Sequence, residues 1–384
     1  MKIIVNARIV LPDRIFEKGI LLFNENIKEL LPYNHLKSYP QAEVIDGMGG
    51  YLTPGLINIH IHGFNGRDTM EANYEALDSI SESLLKTGAT GFLPTTMSMD
   101  ILSIQKALRN IIECKKWGLK GSQILGTNVE GPFINSKYKG AQAEEYIIEP
   151  NIEILNDYLE EAKIITIAPE TRKSEAFIRK MKEKGIIVSV GHSGATYEEI
   201  LKAKEWGLSH STHLFNAMTG LHHRKPGIVG AVLTSNMTCE LIADYIHLHP
   251  AILKLVTMMK DLKDIVLITD SMEAGGLIDG EYSLGGQKVI VKDGAARLEN
   301  GSLAGSTLSM NRAVKNMLDA TGLPINEIIN MATANPARLL NIDHKMGKIE
   351  KNMQADLTLF DEQFNVKKVF IKGKQVLDVS CKEK

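Results

Sequence analysis

The sequence predicts an α/β fold: a (β/α)8, TIM-like barrel carrying a small β-sandwich domain built from both chain termini. Three observations predict it. Apolar, β-rich runs alternate with helical stripes through the middle of the chain. Eight such runs, at 56–61, 91–96, 124–129, 164–168, 186–191, 208–213, 239–243 and 265–269, are spread over roughly 290 residues, the scale of an eight-fold barrel. Both ends of the chain read instead as strands and turns. The predicted division is 1–52 plus 345–384 for the small domain and 53–344 for the barrel.

At the amino end, Ile3-Ile4-Val5 and Ala7-Arg8-Ile9-Val10 are β-rich, and Gly19-Ile20-Leu21-Leu22-Phe23 follows a turn. Val44-Ile45-Asp46 then runs into the breaker cluster Gly47-Met48-Gly49-Gly50. The carboxyl end repeats the pattern in 355–360, 366–371 and Gln375-Val376-Leu377. Neither end has enough strands to bury a core alone, so the two are expected to pair. Between them, Leu77, Ile80, Leu84 and Leu85 form a helical stripe stopped by Gly88. Phe177, Ile178 and Met181 stop at Gly185, and Ile200, Ala203 and Trp206 at Gly207. Leu253, Val256, Met259 and Leu262 lead into the eighth strand. No Gly-x-Gly-x-x-Gly opens the first helix, which weighs against a doubly wound dinucleotide-binding sheet. Residues 285–300 read as a hairpin inserted after the eighth strand, placed to act as a flap.

Composition narrows the function. The 384 residues are 44% hydrophobic with a formal net charge of -2 and no basic run, so neither nucleic acid nor an anionic membrane is an expected partner. No apolar stretch reaches the ~18 residues of a membrane span. The first ten residues read as a strand rather than a signal peptide. Cys114, Cys239 and Cys381 are scattered and odd in number, which suggests buried thiols in a reducing cytoplasm.

Chemistry is expected where barrel strands end. The first ends in His60-Ile61-His62, whose two histidines share a face. The third ends in Glu130, the fifth in Gly191-His192-Ser193, the sixth in Thr212-His213 and the eighth in Thr269-Asp270-Ser271. Each alone reads as a hydrogen-bonded strand cap. Together they are the ligand types of Zn²⁺ or Fe²⁺. Glu130, His192 and His213 would hold one ion, while His60 and His62 would hold a second bridged by Glu130, giving one or two per subunit. Asp270 is the remaining acid, either a proton carrier or a group that orients a histidine. Such a centre hydrolyses amide-type C–N bonds. After His213, Phe215-Asn216-Ala217-Met218 leads to the basic loop His222-His223-Arg224-Lys225-Pro226-Gly227, suited to an anion such as phosphate. His247 follows the seventh strand, and Ser302-Leu303-Ala304-Gly305-Ser306 lets backbone approach a ligand closely.

These segments resemble the amidohydrolase superfamily and, within it, the N-acetylglucosamine-6-phosphate deacetylase family. The resemblance runs over nearly the whole chain. Its motifs are the stretch from Pro54 to Gly63, Glu130-Gly131-Pro132-Phe133, Ala168-Pro169-Glu170, Gly191-His192-Ser193, the stretch from Thr212 to Met218, Thr269-Asp270-Ser271-Met272, Leu303-Ala304-Gly305-Ser306 and the stretch from Met331 to Ala337. The resemblance implies release of acetate from N-acetylglucosamine 6-phosphate. It implies Glu130, His192 and His213 as metal ligands, Asp270 as catalytic acid/base, and Asn216, Ala217 and His247 at the sugar phosphate. It also implies a homodimer in which Arg224 reaches the neighbouring active site. Some members lack the first-strand histidine pair and use a single metal; this chain has both. Gln142 stands where some members carry a substrate-contacting histidine, and Tyr245 where a glycine is common.

A cyclic-amide hydrolase of the same superfamily is the second enzyme reading. Many of those bridge two metals with a carboxylated lysine on the fourth strand, and 164–168 contains none. A non-catalytic barrel is the third reading, and it sits poorly with a full set of ligands and Asp270.

Overall fold

The computed structural model describes residues 1–380. Its middle is a series of parallel strands: Leu56–Ile61, Ala89–Pro94, Gln123–Ile124 with Thr127–Val129, Ala162–Ile167, Ile187–Val190, Leu208–Ser211, Thr238–Ile242 and Ile265–Ile268. These lie in a three-stranded and a six-stranded parallel sheet within a mixed α/β fold. The division falls inside the third strand, which breaks at Leu125-Gly126. There Gly126 takes φ +148°, and a Cβ on it would stand 2.4 Å from Lys163 Cγ on the fourth strand. Single bridges tie the pieces together, Thr95 to Asn128 and Ile61 to Ser271.

The strands are largely buried, with apolar residues predominating and Asn58, His60, His210 and Glu240 buried among them. Ile265–Ile268 is buried throughout. The helices bury most of the stripes read from the sequence; the exceptions are Met259, which is exposed at the end of its helix, Leu262, which lies beyond it, and Trp206, which is half-buried. Tyr74–Leu85, capped by Asn73 accepting from Ala76 N, buries Leu77, Ile80 and Leu84. Tyr197–Trp206 opens on a reciprocal Thr196–Glu199 capping box and buries Ile200 and Ala203.

Several strands stop short of their predicted ends for one reason. His192, His213 and Asp270 take φ of +48°, +30° and +50°, so the chain turns out of the ladder as it reaches each polar residue. The fourth strand starts earlier than expected, at Ala162, and includes Lys163. That side chain donates to Glu160 O at 3.3 Å, at the strand's amino end and away from the ligand-bearing end.

The chain termini form two further sheets. One orders Ile27–Pro32, Gly19–Phe23, Lys2–Val5 and Glu43–Asp46; the other orders Lys374–Asp378, Val366–Ile371, Leu357–Phe360, Tyr51–Pro54, Arg8–Val10 and Ile15–Phe16. Leu357–Phe360 pairs antiparallel with Tyr51–Pro54, so both ends of the chain share a sheet. A single apolar cluster joins Ile4, Leu21 and Phe23 to Ile9, Leu52, Leu359 and Phe370. The Phe23 and Phe370 rings meet edge to face at 5.5 Å.

The insertion after the eighth strand is a three-stranded antiparallel sheet, Gly280–Leu284, Gln287–Lys292 and Ala295–Leu298, rather than a two-stranded hairpin. Leu284, Val289 and Ala296 pack with Met97, Met272 and Ala304. Cys114 and Cys239 are buried free thiols; Cys381 lies outside the described residues. Among the described residues no helix is long and apolar enough to cross a membrane.

Candidate active site

The carboxyl ends of the parallel strands bring His60, His62, Glu130, His192, His213 and Asp270 together. His60 lies on the first strand and His62 just past its end, with their Nε2 atoms 3.4 Å from each other. Glu130 follows the third strand, and its Oε1 lies 3.2 Å from His192 Nε2 and 3.0 Å from His213 Nε2. Its Oε2 lies 3.1 Å from His62 Nε2. Asp270 Oδ1 is 3.4 Å from His60 Nε2 and 3.3 Å from His62 Nε2.

Two triads result, His60–His62–Asp270 and Glu130–His192–His213, each with its donor atoms within 4.8 Å of one another. The chemistry of this donor set fits a divalent transition metal: four imidazoles and two carboxylates, all buried, facing one small space. The hydrogen bonds behind two of the rings fit as well, while His62 Nδ1 and His213 Nδ1 have no hydrogen-bond partner among the described residues. His192 Nδ1 donates to Tyr138 O at 3.0 Å and His60 Nδ1 to Glu240 Oε2 at 2.9 Å, which leaves each Nε2 with its lone pair toward the centre. Burial alone raises the Glu130 carboxyl. When these rings are protonated rather than neutral, the charge of His60 and the bonds from His192 and His213 outweigh it and hold Glu130 well below the usual carboxylate range.

The local backbone is built to hold these positions. Glu170 accepts from Ser193 Oγ at 2.7 Å, from Gly194 N at 2.6 Å and from Asn135 Nδ2 at 2.8 Å, clamping the turn that carries His192. Asp270 N donates to His60 O at 3.0 Å and Asp270 O accepts from Ser306 N at 2.7 Å. Left-handed φ values at His192, His213, Phe215, Ala217, Tyr245 and Asp270 concentrate strain around one rim.

A cavity of about 400 Å³ opens over the centre, lined in part by His62, Glu130, His192, His213 and Asp270. Gln142, Asn216, Ala217, His247, Leu303 and Gly305 also line it, as their place in the sequence suggested. His247 is fixed by Asp244, which accepts from its Nδ1 at 2.6 Å and from its backbone N at 2.7 Å. Ala304 does not line the cavity; it is buried in the apolar cluster beneath the inserted sheet. Arg224 does not line it either. It is exposed, and its Nη1 lies 2.6 Å from His223 Nε2. Tyr245 turns its ring away, its hydroxyl donating to Asn316 O at 2.6 Å.

Gln142 is more deeply engaged than a sugar contact alone would be. It accepts from Ser98 N at 2.7 Å and donates to Glu130 Oε2 at 3.0 Å, so it also aims the carboxylate. Sequence reasoning missed Lys137 and Tyr138, which line the cavity, and Glu240 and His210, which lie behind the ligands. The signal for Glu240 was present: it is a carboxylate inside the otherwise apolar run Cys239-Glu240-Leu241-Ile242.

Residues 51–376 match the model of the amidohydrolase family. The N-acetylglucosamine-6-phosphate deacetylase of Lysinibacillus sphaericus is 38% identical over 341 residues, 88% of this chain and 87% of the relative. The N-acetylgalactosamine-6-phosphate deacetylase of Escherichia coli O157:H7 is 37% identical over 84% of this chain and 86% of that protein. Among solved structures, the N-acetylglucosamine-6-phosphate deacetylase of Pasteurella multocida superposes with a TM-score of 0.92 at 32% identity, covering 97% of this chain and 99% of that one.

Proposed function

From the premise that the chain belongs to the amidohydrolase family, we propose that it is a metal-dependent hydrolase that removes acetate from N-acetyl-D-glucosamine 6-phosphate, leaving D-glucosamine 6-phosphate, in amino-sugar catabolism. The observation that carries this reading is the convergence of four histidines and two carboxylates under one cavity, in a chain matched along most of its length by deacetylases of this kind.

Glu130, His192 and His213 would hold one divalent ion, zinc or iron, and His60 and His62 offer a place for a second. When bound, the metal polarises the amide carbonyl and acidifies the attacking water. Asp270 takes the proton from that water as its oxygen bonds to the carbonyl carbon. The same carboxyl returns the proton to the sugar nitrogen as the C–N bond breaks; acetic acid and the amine leave, and the acid's remaining proton passes to the amine to give acetate and an ammonium group. Gln142 keeps Glu130 aimed at the centre throughout. Lys137, Asn216, Ala217 and His247 provide donors for the sugar phosphate, and Leu303 and Gly305 close the wall beside it. Arg224, exposed on its loop, suits a contact with the phosphate held by a second copy of this chain, as in a homodimer.

The parallel strands are read as one closed eight-stranded barrel. Supporting this are the Thr95–Asn128 bridge across the break in the third strand and the Ile61–Ser271 bridge between the first strand and the residues after the eighth. The two terminal sheets are read as a small sandwich domain around their shared core. A cytoplasmic location suits the buried reduced thiols of Cys114 and Cys239.

A second substrate reading is the 4-epimer, N-acetylgalactosamine 6-phosphate, favoured by the comparable identity of the relative named for it. Acetate release from both sugars, compared as kcat/KM with zinc- and iron-loaded protein, tests both readings. A ratio favouring the gluco sugar supports the first, the inverse supports the second, and no release from either sugar with either metal rejects both.

A further inference from the structure

Glu240 is fully buried in the strand Thr238–Ile242. A carboxylate so placed is tolerated only when its lone pairs are engaged. Its Oε2 accepts from His60 Nδ1 at 2.9 Å and from the backbone N of His213 at 3.0 Å. Its Oε1 lies 3.3 Å from His210 Nε2, and the other nitrogen of that ring meets Thr238 Oγ1 at 2.7 Å. The first contact puts the His60 proton on Nδ1 and directs Nε2 toward Glu130 and Asp270. The second pins the turn at His213, where φ is +30°. One carboxylate oxygen therefore holds a ligand from each donor triad, one through its ring and one through its backbone. The remaining first-strand ring is held less firmly: His62 Nδ1 has no hydrogen-bond partner among the described residues.

We propose that Glu240 is the positioning residue of the metal centre: it orients His60, strengthens that imidazole as a donor and fixes the backbone that presents His213. The proposal rests on the reading of the two triads as a divalent-metal centre. In it, the centre's affinity depends on a carboxylate that contacts neither the ion nor the substrate.

Glu240→Gln is the informative change. The amide oxygen can still accept from His60 and His213, and the amide nitrogen can donate to His210 once that ring shifts its proton to the Thr238 side. Shape and hydrogen bonding survive while the charge is lost. The full-length protein is stripped of metal and titrated with Zn²⁺ against a chromogenic chelator, and the Co²⁺-loaded form is examined by visible absorption. Glu240→Gln is expected to weaken Zn²⁺ binding by about 10- to 100-fold. It should also shift the Co²⁺ bands, while the metal-free variant melts at the same temperature as the metal-free wild type. Should Glu240→Gln fail to fold, Glu240→Asp, which withdraws the carboxylate from His60 by one methylene, is measured in the same way.

Equal Zn²⁺ affinity and unchanged Co²⁺ bands in the variant would overturn the proposal while leaving the metal centre intact. A melting temperature lowered in the metal-free state, with affinity unchanged, would assign Glu240 a packing role only and would also overturn it. A wild-type protein that takes up neither ion would instead overturn the reading of the centre, and the proposal with it.

Discussion

Asp270→Asn separates proton transfer from assembly of the site. Three features of the structure indicate that the substitution leaves the fold alone. The backbone is pinned at both sides of the residue, by His60 O and by Ser306 N, whatever the side chain. Its φ of +50° is a conformation that asparagine tolerates better than most residues. The residue is only 8% exposed, so an isosteric amide fits the same space. Asparagine also keeps an oxygen near the Oδ1 position, 3.4 and 3.3 Å from the first-strand histidines. What is lost is the negative charge and the proton-accepting group. A positioned acid/base contributes about 10²- to 10⁴-fold, or about 3–5 kcal/mol of barrier at roughly 1.4 kcal/mol per tenfold. The assay is acetate release from N-acetylglucosamine 6-phosphate, with kcat and KM determined separately and metal content measured on the same sample. The expected result is a kcat lowered by that factor with KM and metal content near the wild-type values. A kcat within about threefold of wild type at full metal content would remove Asp270 from proton transfer. Loss of metal in step with turnover would make it a ligand instead.

Further outcomes follow from the same structure. Stripping metal with a chelator should abolish acetate release and lower the melting temperature, because an ion held at a thousand times its Kd contributes about 4 kcal/mol to the folded state; turnover that survives complete removal would refute a metal mechanism. Arg224→Ala should raise KM by about tenfold or more with kcat little changed, the loss expected for one charge-assisted hydrogen bond of about 1.5–3 kcal/mol; an unchanged KM would leave the basic loop a solvated surface. Gly373→Ala should destabilise the protein by at least about 2 kcal/mol in denaturant unfolding. A Cβ there would stand 1.6 Å from the backbone oxygen of Asn24, at a φ of +68°. A cost below about 0.5 kcal/mol would show that this hairpin turn, packed against Asn24 of the other terminal sheet, yields easily.

What could be read from the sequence divides along a physical line. A ligand-type residue closing an apolar run is a property of one segment, and every residue singled out on that basis, from His60 to Asp270, reaches the centre. The helices ending at Gly185 and Gly207 are likewise visible locally, because an amphipathic stripe and its stop signal lie next to each other in the chain. The break in the third strand was hidden, because Gly126 is visible in the sequence but its φ of +148° and the Lys163 side chain beside it are not. Ile27–Pro32 was hidden too: its register is set by pairing with Gly19–Phe23 rather than by its own mixed sequence.

The same line explains the errors at the site. Gln142 reads as a sugar contact until Ser98 and Glu130, from other segments, are found at its two ends. Glu240 shows in the sequence only as a carboxylate inside an apolar run, and its task emerges when the first and sixth strands supply His60, His210 and the His213 amide. Ligands are announced by their own neighbours in the chain. The groups that aim them are defined by neighbours in space, so a search for what tunes this centre has to begin from the strands on either side of each ligand.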